Sequence, residues 1–141
     1  EHYVGSDAGS VAYLPWVEQG VQDTIAEVTP ERTILAIPFY TRLWKTTGGA
    51  VTSEAIGMDE AQNVLSTNGV EAVWDGSVGQ NYATFEQDNS TYQIWLEDAQ
   101  SIAEKVKLIQ KYNLAGVAQW KLGFENSSIW QTISDNLQAA S

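Results

Sequence analysis

Apolar residues recur with helical spacing in four segments of the chain. The predicted helices cover residues 15–28, 58–69, 98–112 and a last segment whose apolar face is Ile129, Trp130, Ile133 and Leu137. Pro15 suits a first helical turn, Gly69 suits the position after a helix end, and Asp98 is a typical N-cap residue. Asn126 can cap the last helix in the same way. The boundaries of all four helices therefore have matching local signals.

Two nearly continuous apolar runs, residues 33–39 and 114–120, predict strands of a different kind. Neither run alternates, and both are bounded by turn residues, as expected of strands buried on both faces of a parallel sheet. Each run is followed by a helix farther along the chain. This order predicts an α/β fold in which the two strands are parallel and joined by right-handed crossovers.

The middle of the chain has a separate character. Residues 45–57 are rich in Gly, Thr and Ser and predict a loop. After the second helix come three short strand-like runs, separated by the turn sequences DGSVGQ and DNS; they cover residues 70–75, 82–87 and 92–97. We therefore expect a small α+β insertion over residues 45–97, between chain segments 1–44 and 98–141.

Aromatic and basic residues follow the two predicted parallel strands. Tyr40, Arg42 and Trp44 follow the first strand, and Trp120 ends the second. Ligands of parallel α/β proteins meet the carboxyl ends of the strands. Aromatic rings can stack on the C–H faces of sugars, and guanidinium and phenol groups can bond sugar oxygens. The residues alone leave open whether these rings bind a ligand or cover one end of a core.

The composition narrows the range of partners. Six Trp and six Tyr in 141 residues suit a ligand with flat apolar faces, while a net charge of -11 disfavours nucleic acid and anionic membrane surfaces. No apolar run approaches the roughly 20 residues of a membrane helix. Cysteine is absent, and the single histidine, His2, lies in a position that is commonly exposed. We expect no metal site, no nucleotide site and no cofactor.

Three ordered stretches resemble a known family. They are "AYLPWVEQGV", "ILAIPFYTRLW" and "YQIWLEDAQSIAEKVKLIQKYNLAGVAQWKLGFEN". They look like the C-terminal third of glycoside hydrolase family 18, and in particular its bacterial spore-cortex and cell-wall branch. The resemblance implies a partial TIM (β/α)8 barrel, reduced to its last two strand–helix units. It also implies that the insertion forms one wall of a substrate groove.

The same resemblance implies roles for single residues. Trp120 would form the floor of the subsite for the scissile sugar, with Tyr40 and Arg42 beside it as further substrate-binding residues. Weaker candidates for the groove are Trp44, Trp74 and Tyr82, although Trp74 lies in an alternating strand and its position favours core packing. Three other indoles fall on helix or strand faces and are expected in the core: Trp16, Trp95 and Trp130.

The family's catalytic motif is absent from this sequence. In the family, the Glu of an Asp-x-x-Asp-x-Asp-x-Glu run protonates the glycosidic oxygen, and the substrate's own N-acetyl group attacks the anomeric carbon. No three Asp residues here have that spacing. We expect the pairs Asp59–Glu60 and Glu97–Asp98 to mark helix starts, and Glu125 to be at most a substrate contact. The sequence therefore predicts no catalytic residue.

The leading interpretation is a piece of a glycosidase that hydrolyses β-1,4 links in N-acetylglucosamine polymers, chitin or peptidoglycan. The alternative is a non-catalytic module that binds amino-sugar polymers. The abrupt start "EHYVGSDAGS" is typical of the interior of a longer protein. The resemblance implies an extracellular, cell-envelope or spore-coat location. Uncovered strand edges in such a slice predict self-association.

Overall fold

The computed structural model describes residues 2–138, which form four α-helices and seven β-strands. The helices are α1 (Leu14–Glu27), α2 (Met58–Asn68), α3 (Ala99–Lys111) and α4 (Ile129–Gln138). The strands are β1 (Ile34–Pro38), β2 (Tyr40–Thr47), β3 (Ala50–Gly57), β4 (Val73–Asp75), β5 (Gln80–Gln87), β6 (Ser90–Leu96) and β7 (Gly116–Trp120). All four predicted helices are present, so helical periodicity was a sufficient guide to them.

The strands β1 and β7 form a two-stranded parallel sheet. Their register runs from Ile34 opposite Gly116 to Pro38 opposite Trp120. The backbone N–H of Phe39 continues the pairing by donating to the Trp120 carbonyl at 2.7 Å. The predicted parallel pairing is therefore confirmed, and the two strands end side by side.

The principal core lies between this pair and the helices α3 and α4. Its least exposed side chains are Ile37, Phe39, Ile102, Val106 and Ile129. The stripe of α3 follows the helical repeat and faces this core. Asp98 caps α3 as predicted: its carboxylate accepts from the Ser101 N–H at 3.0 Å, while the Ser101 hydroxyl accepts from the Asp98 N–H.

The expectation of a loop over residues 45–57 is wrong. Strands β2 and β3 pair along eight residues each and turn at Gly48 and Gly49, which both have positive φ. A glycine pair at the tip suits the hairpin twist. Thr and Ser were interpreted as loop residues, but β-branched Thr also favours extended backbone.

The hairpin belongs to an antiparallel sheet of five strands in the order β3-β2-β6-β5-β4. One face packs on α2 and forms a second apolar cluster that includes Ile56, Leu65, Ala83 and Ile94. The opposite face, hereafter the open face, carries the alternate residues Tyr40, Arg42, Trp44, Tyr82, Gln93 and Trp95. The first residue of this sheet is Tyr40. Residues 40–44, which the sequence places in the segment 1–44, therefore lie in the five-stranded sheet.

No helix between residues 2 and 138 is both long and apolar enough to cross a bilayer.

An ion pair between α1 and α3 predicts a pH-dependent stability. The Lys111 Nζ lies 2.5 Å and the Tyr112 hydroxyl 2.6 Å from Oε1 of Glu18. These partners hold the pKa of Glu18 below its ordinary value of 4.5. A lowered acid pKa stabilises the fold above the unfolded pKa, and this stabilisation disappears as pH falls from about 4.5 through the folded pKa.

We therefore expect Glu18→Gln to lower the melting temperature at pH 7 and to have a smaller effect at pH 3. Calorimetry of the wild type, Glu18→Gln, Lys111→Gln and the double variant at both pH values measures this coupling. An equal effect of Glu18→Gln at the two pH values would contradict the assignment.

Candidate functional site

A concavity of about 220 Å³ opens where the parallel strands end. Its lining consists of Val11, Ala12, Trp16, Ala36, Ile37, Pro38, Tyr40 and Trp120. Trp120 is 66% exposed at the end of β7, and Tyr40 is half-buried at the start of β2. The in-register pairing of Pro38 with Trp120 brings these two rings to one site. The strand-end rule therefore located an aromatic depression correctly, and its ligand-binding role stays a prediction.

Arg42 lies two residues after Tyr40 and hence on the open face of the five-stranded sheet. Its Nε donates to the Ser53 hydroxyl at 2.8 Å and its Nη2 to the Ser53 carbonyl at 3.4 Å. The guanidinium carbon is 5.9 Å from the centroid of the Trp44 ring. These contacts fix the guanidinium along the open face, outside the lining of the strand-end concavity.

Trp44, a weaker groove candidate, is 1% exposed. Its indole N–H is buried and has no hydrogen-bond partner among residues 2–138. The rings of Trp44 and His2 form a T-shaped contact with their centroids 6.4 Å apart. His2 itself is half-buried, and its Nδ1 lies 2.8 Å from the Asp7 carbonyl oxygen, so the expectation of an exposed histidine is wrong.

The open face continues through an aromatic pair. The rings of Tyr82 and Trp95 are 4.8 Å apart between centroids, and the Gln93 side chain donates to the Tyr82 hydroxyl at 2.8 Å. Both rings are half-buried, as is Trp74. The expectation that Trp95 lies in the core is therefore only partly met. This face presents planar rings beside polar groups, a combination that suits a sugar chain.

Trp16 and Trp130 also differ from the core expectation. Trp16 is 43% exposed and lines the strand-end concavity, and Trp130 is 42% exposed. Trp130 packs edge-on against Phe39 at 5.4 Å between centroids. Helical spacing identified the apolar faces that hold these rings, but an indole is too large to be covered fully at the margin of a small core.

The carboxylates near the site have local structural roles. Asp59 and Glu60 lie in the first turn of α2, as predicted. Glu125 accepts from the Gly123 N–H at 2.7 Å and lines a groove with them. Within the described part of the chain, no group of three metal-ligating side chains could hold a metal ion.

Glu97 lies next to the N-cap of α3, so the predicted helix start is confirmed, but its burial and its pairing with Lys105 were not predicted. The ammonium lies 2.8 Å from Oε1 and 3.1 Å from Oε2 of Glu97. Burial raises the pKa of Glu97, while Lys105 and Ser101 act in the opposite direction. The sequence held a signal for this pair: Lys105 follows Ile102 by three residues and precedes Ile109 by four, so it lies on the apolar stripe of α3.

Comparison with known proteins defines the class. The family model of glycosyl hydrolases family 18 matches residues 7–125. The chain therefore belongs to glycosyl hydrolase family 18, as the sequence motifs implied.

Individual relatives agree with this assignment. The cortical fragment-lytic enzyme of Bacillus subtilis (strain 168) is 24% identical over 136 residues, which are 94% of this chain and 32% of that protein. The spore cortex-lytic enzyme SleL of Bacillus megaterium QM B1551 is 26% identical with a TM-score of 0.85, over 95% of this chain and 32% of that one.

A chitinase from Chromobacterium violaceum ATCC 12472 has a TM-score of 0.90 at 23% identity, over 98% of this chain and 43% of that one. Its backbone shows that the α/β fold described above occurs in chitinases. The chain spans about a third of the length of the curated relatives it matches.

Proposed function

We propose that this chain forms substrate-groove walls of a glycosidase acting on polymers that contain N-acetylglucosamine. The single observation that carries the proposal is the convergence of Trp120 and Tyr40 on one concavity at the carboxyl ends of two parallel strands. In this proposal β1 and β7 are the last two strands of a (β/α)8 barrel, and residues 45–97 are its insertion.

The chemistry of the concavity suits a sugar ring. Trp120 offers a broad exposed indole that can stack on the C–H face of a pyranose. Tyr40 stands beside it in the lining. Arg42 lies outside the concavity, on the same side of β2 as Tyr40, and would be a fixed donor for a sugar farther along the polymer. Neutral sugars are recognised by such mixtures of ring faces and hydrogen bonds, so the high negative charge of the chain is no obstacle.

The hydrolytic step belongs to residues outside this sequence. The family's acid motif is absent here, and the buried Glu97 is neutralised by Lys105 instead of facing the concavity. The walls described above would bind and orient the polymer, while an acid from elsewhere in the parent protein protonates the glycosidic oxygen. The substrate class implies an extracellular, cell-envelope or spore-coat location for that protein.

The first test is binding. Isothermal titration calorimetry with a chitin hexamer should show saturable binding. Trp120→Ala should weaken this affinity tenfold or more, equivalent to about 1.4 kcal/mol. Leu122→Ala is the matched control, because Leu122 is an apolar residue two positions after Trp120, 74% exposed and outside the concavity lining. Equal losses in both variants, or none in Trp120→Ala, would count against the site.

The second test is turnover. The 141-residue chain should release no reducing ends from chitin oligomers or from peptidoglycan, since it lacks the proton donor. Chromatography of overnight digests measures this, with an intact family 18 chitinase as the positive control. Turnover by the pure chain that is lost in Trp120→Ala would refute the proposed division of labour. A non-catalytic binding module would also bind without turnover. The glycosidase and binding-module hypotheses then differ only in whether the parent protein supplies a catalytic acid.

The third test is association. Within residues 2–138, β1 pairs with β7 and with no other strand, and Ile34 on β1 is 61% exposed. An apolar, unpaired strand edge favours pairing between copies. We expect sedimentation to show concentration-dependent dimers or larger species, which Ile34→Lys reduces. A monomer at all concentrations would disprove this expectation.

A further inference from the structure

A buried polar network joins the five-stranded sheet to α3, the helix that packs in the principal core with the parallel pair. Glu97 and Lys105 are 2% and 0% exposed. Oε1 of Glu97 accepts from Lys105 at 2.8 Å and from the Gln80 side chain at 3.0 Å, while Oε2 accepts from the Ser101 hydroxyl at 2.8 Å. The carboxylate thus has donors from both β5 and α3.

The network extends beyond the ion pair. Gln80 also donates to the Leu96 carbonyl at 3.1 Å and accepts from the hydroxyl of Ser10. Thr41 on β2 accepts from the Glu97 N–H at 2.8 Å and donates to the Trp95 carbonyl at 3.1 Å. Three strands of the five-stranded sheet, the helix α3 and the N-terminal segment therefore share one set of hydrogen bonds.

The two larger apolar cores lie on either side of this connection, one around β1, α3 and α4 and the other between α2 and the five-stranded sheet. A third, smaller cluster around Leu108 of α3 has Leu35 of β1 and Tyr40 of β2 packed against it, both only partly buried. Met58 at the start of α2 belongs to the first core. Backbone hydrogen bonds from the Met58 N–H to the Phe124 carbonyl and from the Leu14 N–H to the Val78 carbonyl connect the edges of the two regions. The ion pair lies buried where α3 meets the five-stranded sheet.

Stability alone is a weak reason for such a pair. Desolvating each ion costs several kcal/mol, and apolar replacements of buried ion pairs are often neutral or stabilising. A fully hydrogen-bonded polar network is, however, directional, and it restricts how the elements around it can pack. Non-directional apolar contacts restrict this geometry less.

We propose that the Glu97–Lys105 network sets the orientation of the five-stranded sheet relative to the parallel pair. It thereby fixes the open face, with Arg42, Tyr82 and Trp95, relative to Trp120 and the parts of the concavity that β1, α1 and the N-terminal segment form. Glu97 and Lys105 are positioning residues in this proposal. The consequence for polysaccharide binding rests on the proposed function, whereas the orientation itself does not.

The orientation can be measured directly, because the chain has no cysteine to interfere with spin labels. Spin labels at Gln87→Cys on β5 and Gln131→Cys on α4 are both at exposed positions. Pulsed electron paramagnetic resonance then measures the distance between the five-stranded sheet and the helix α4 of the principal core. We expect one narrow distance distribution in the parent and in Lys107→Met, and a broadened or shifted one in Glu97→Gln/Lys105→Met. Lys107 is the matched control, since it is an exposed lysine of the same helix.

Near-ultraviolet circular dichroism establishes that each labelled variant is folded. If the double variant fails to fold, Gln80→Met and Ser10→Ala decide, because both leave the ion pair in place and should broaden the distribution to a smaller degree. An unchanged distribution in the folded variants overturns the proposal.

Ligand length provides a second readout. A hexamer is three times as long as a dimer and is the ligand that we expect to reach from the concavity to the open face. We expect the double variant to lose the affinity advantage of the hexamer over the dimer and to keep its dimer affinity. An equal loss for both ligands would indicate general damage and contradict a positioning role. If the parent binds neither ligand, the proposed function fails, and the spin-label distances still decide the orientation.

Discussion

The in-register parallel pairing of β1 and β7 is the constraint on which the rest of the structure depends. It places Pro38 opposite Trp120 and lets the Phe39 N–H bond the Trp120 carbonyl. Phe39 is fully buried in the principal core, so the chain is fixed at the point where it passes from β1 into β2. Tyr40 then follows at the margin of the concavity. A shift of the register by one residue would reverse the side chains on one strand and separate the two rings.

Much of this arrangement could be predicted from the sequence, because its signals are local. The stripe of Ile102, Val106 and Ile109 indicated α3, and the continuous apolar runs indicated two parallel strands. Their expected burial on both faces is not met, because Ile37 is the one buried residue of β1 and none of β7 is buried. The strand-end rule then brought Tyr40 and Trp120 together without any knowledge of the coordinates. Membership of family 18 was predictable from the motifs that accompany these elements.

The rest depends on contacts between distant residues. The hairpin of β2 and β3 is rich in Thr and Ser, and its strand structure comes from pairing across the sheet, which local composition does not report. Trp44 is the fully buried indole, whereas Trp16 and Trp130 are partly exposed. The exposed fraction of each indole depends on which elements pack against its ring. The pairing of Lys105 with Glu97 likewise requires two elements to meet, although the lysine's position on an apolar stripe was visible.

The described residues thus combine three apolar clusters, a buried polar network and two aromatic surfaces. The strand-end concavity and the open face meet at Tyr40, and the rest of the concavity comes from β1, β7, α1 and the N-terminal segment. A polymer that contacts both surfaces therefore depends on how the two sheets are held. Family membership gives the class of chemistry. In the proposed function these residues bind and orient a polysaccharide, and an acid from elsewhere in the parent protein cleaves it.

The central claim is that the exposed indole of Trp120 is a sugar-binding surface. Nuclear magnetic resonance of the indole N–H groups tests it most directly, because each of the six tryptophans gives its own signal. Titration with an N-acetylglucosamine hexamer should move the Trp120 signal progressively and leave that of Trp130, which packs on Phe39, in place. Saturable binding that leaves the Trp120 signal unmoved would contradict the account.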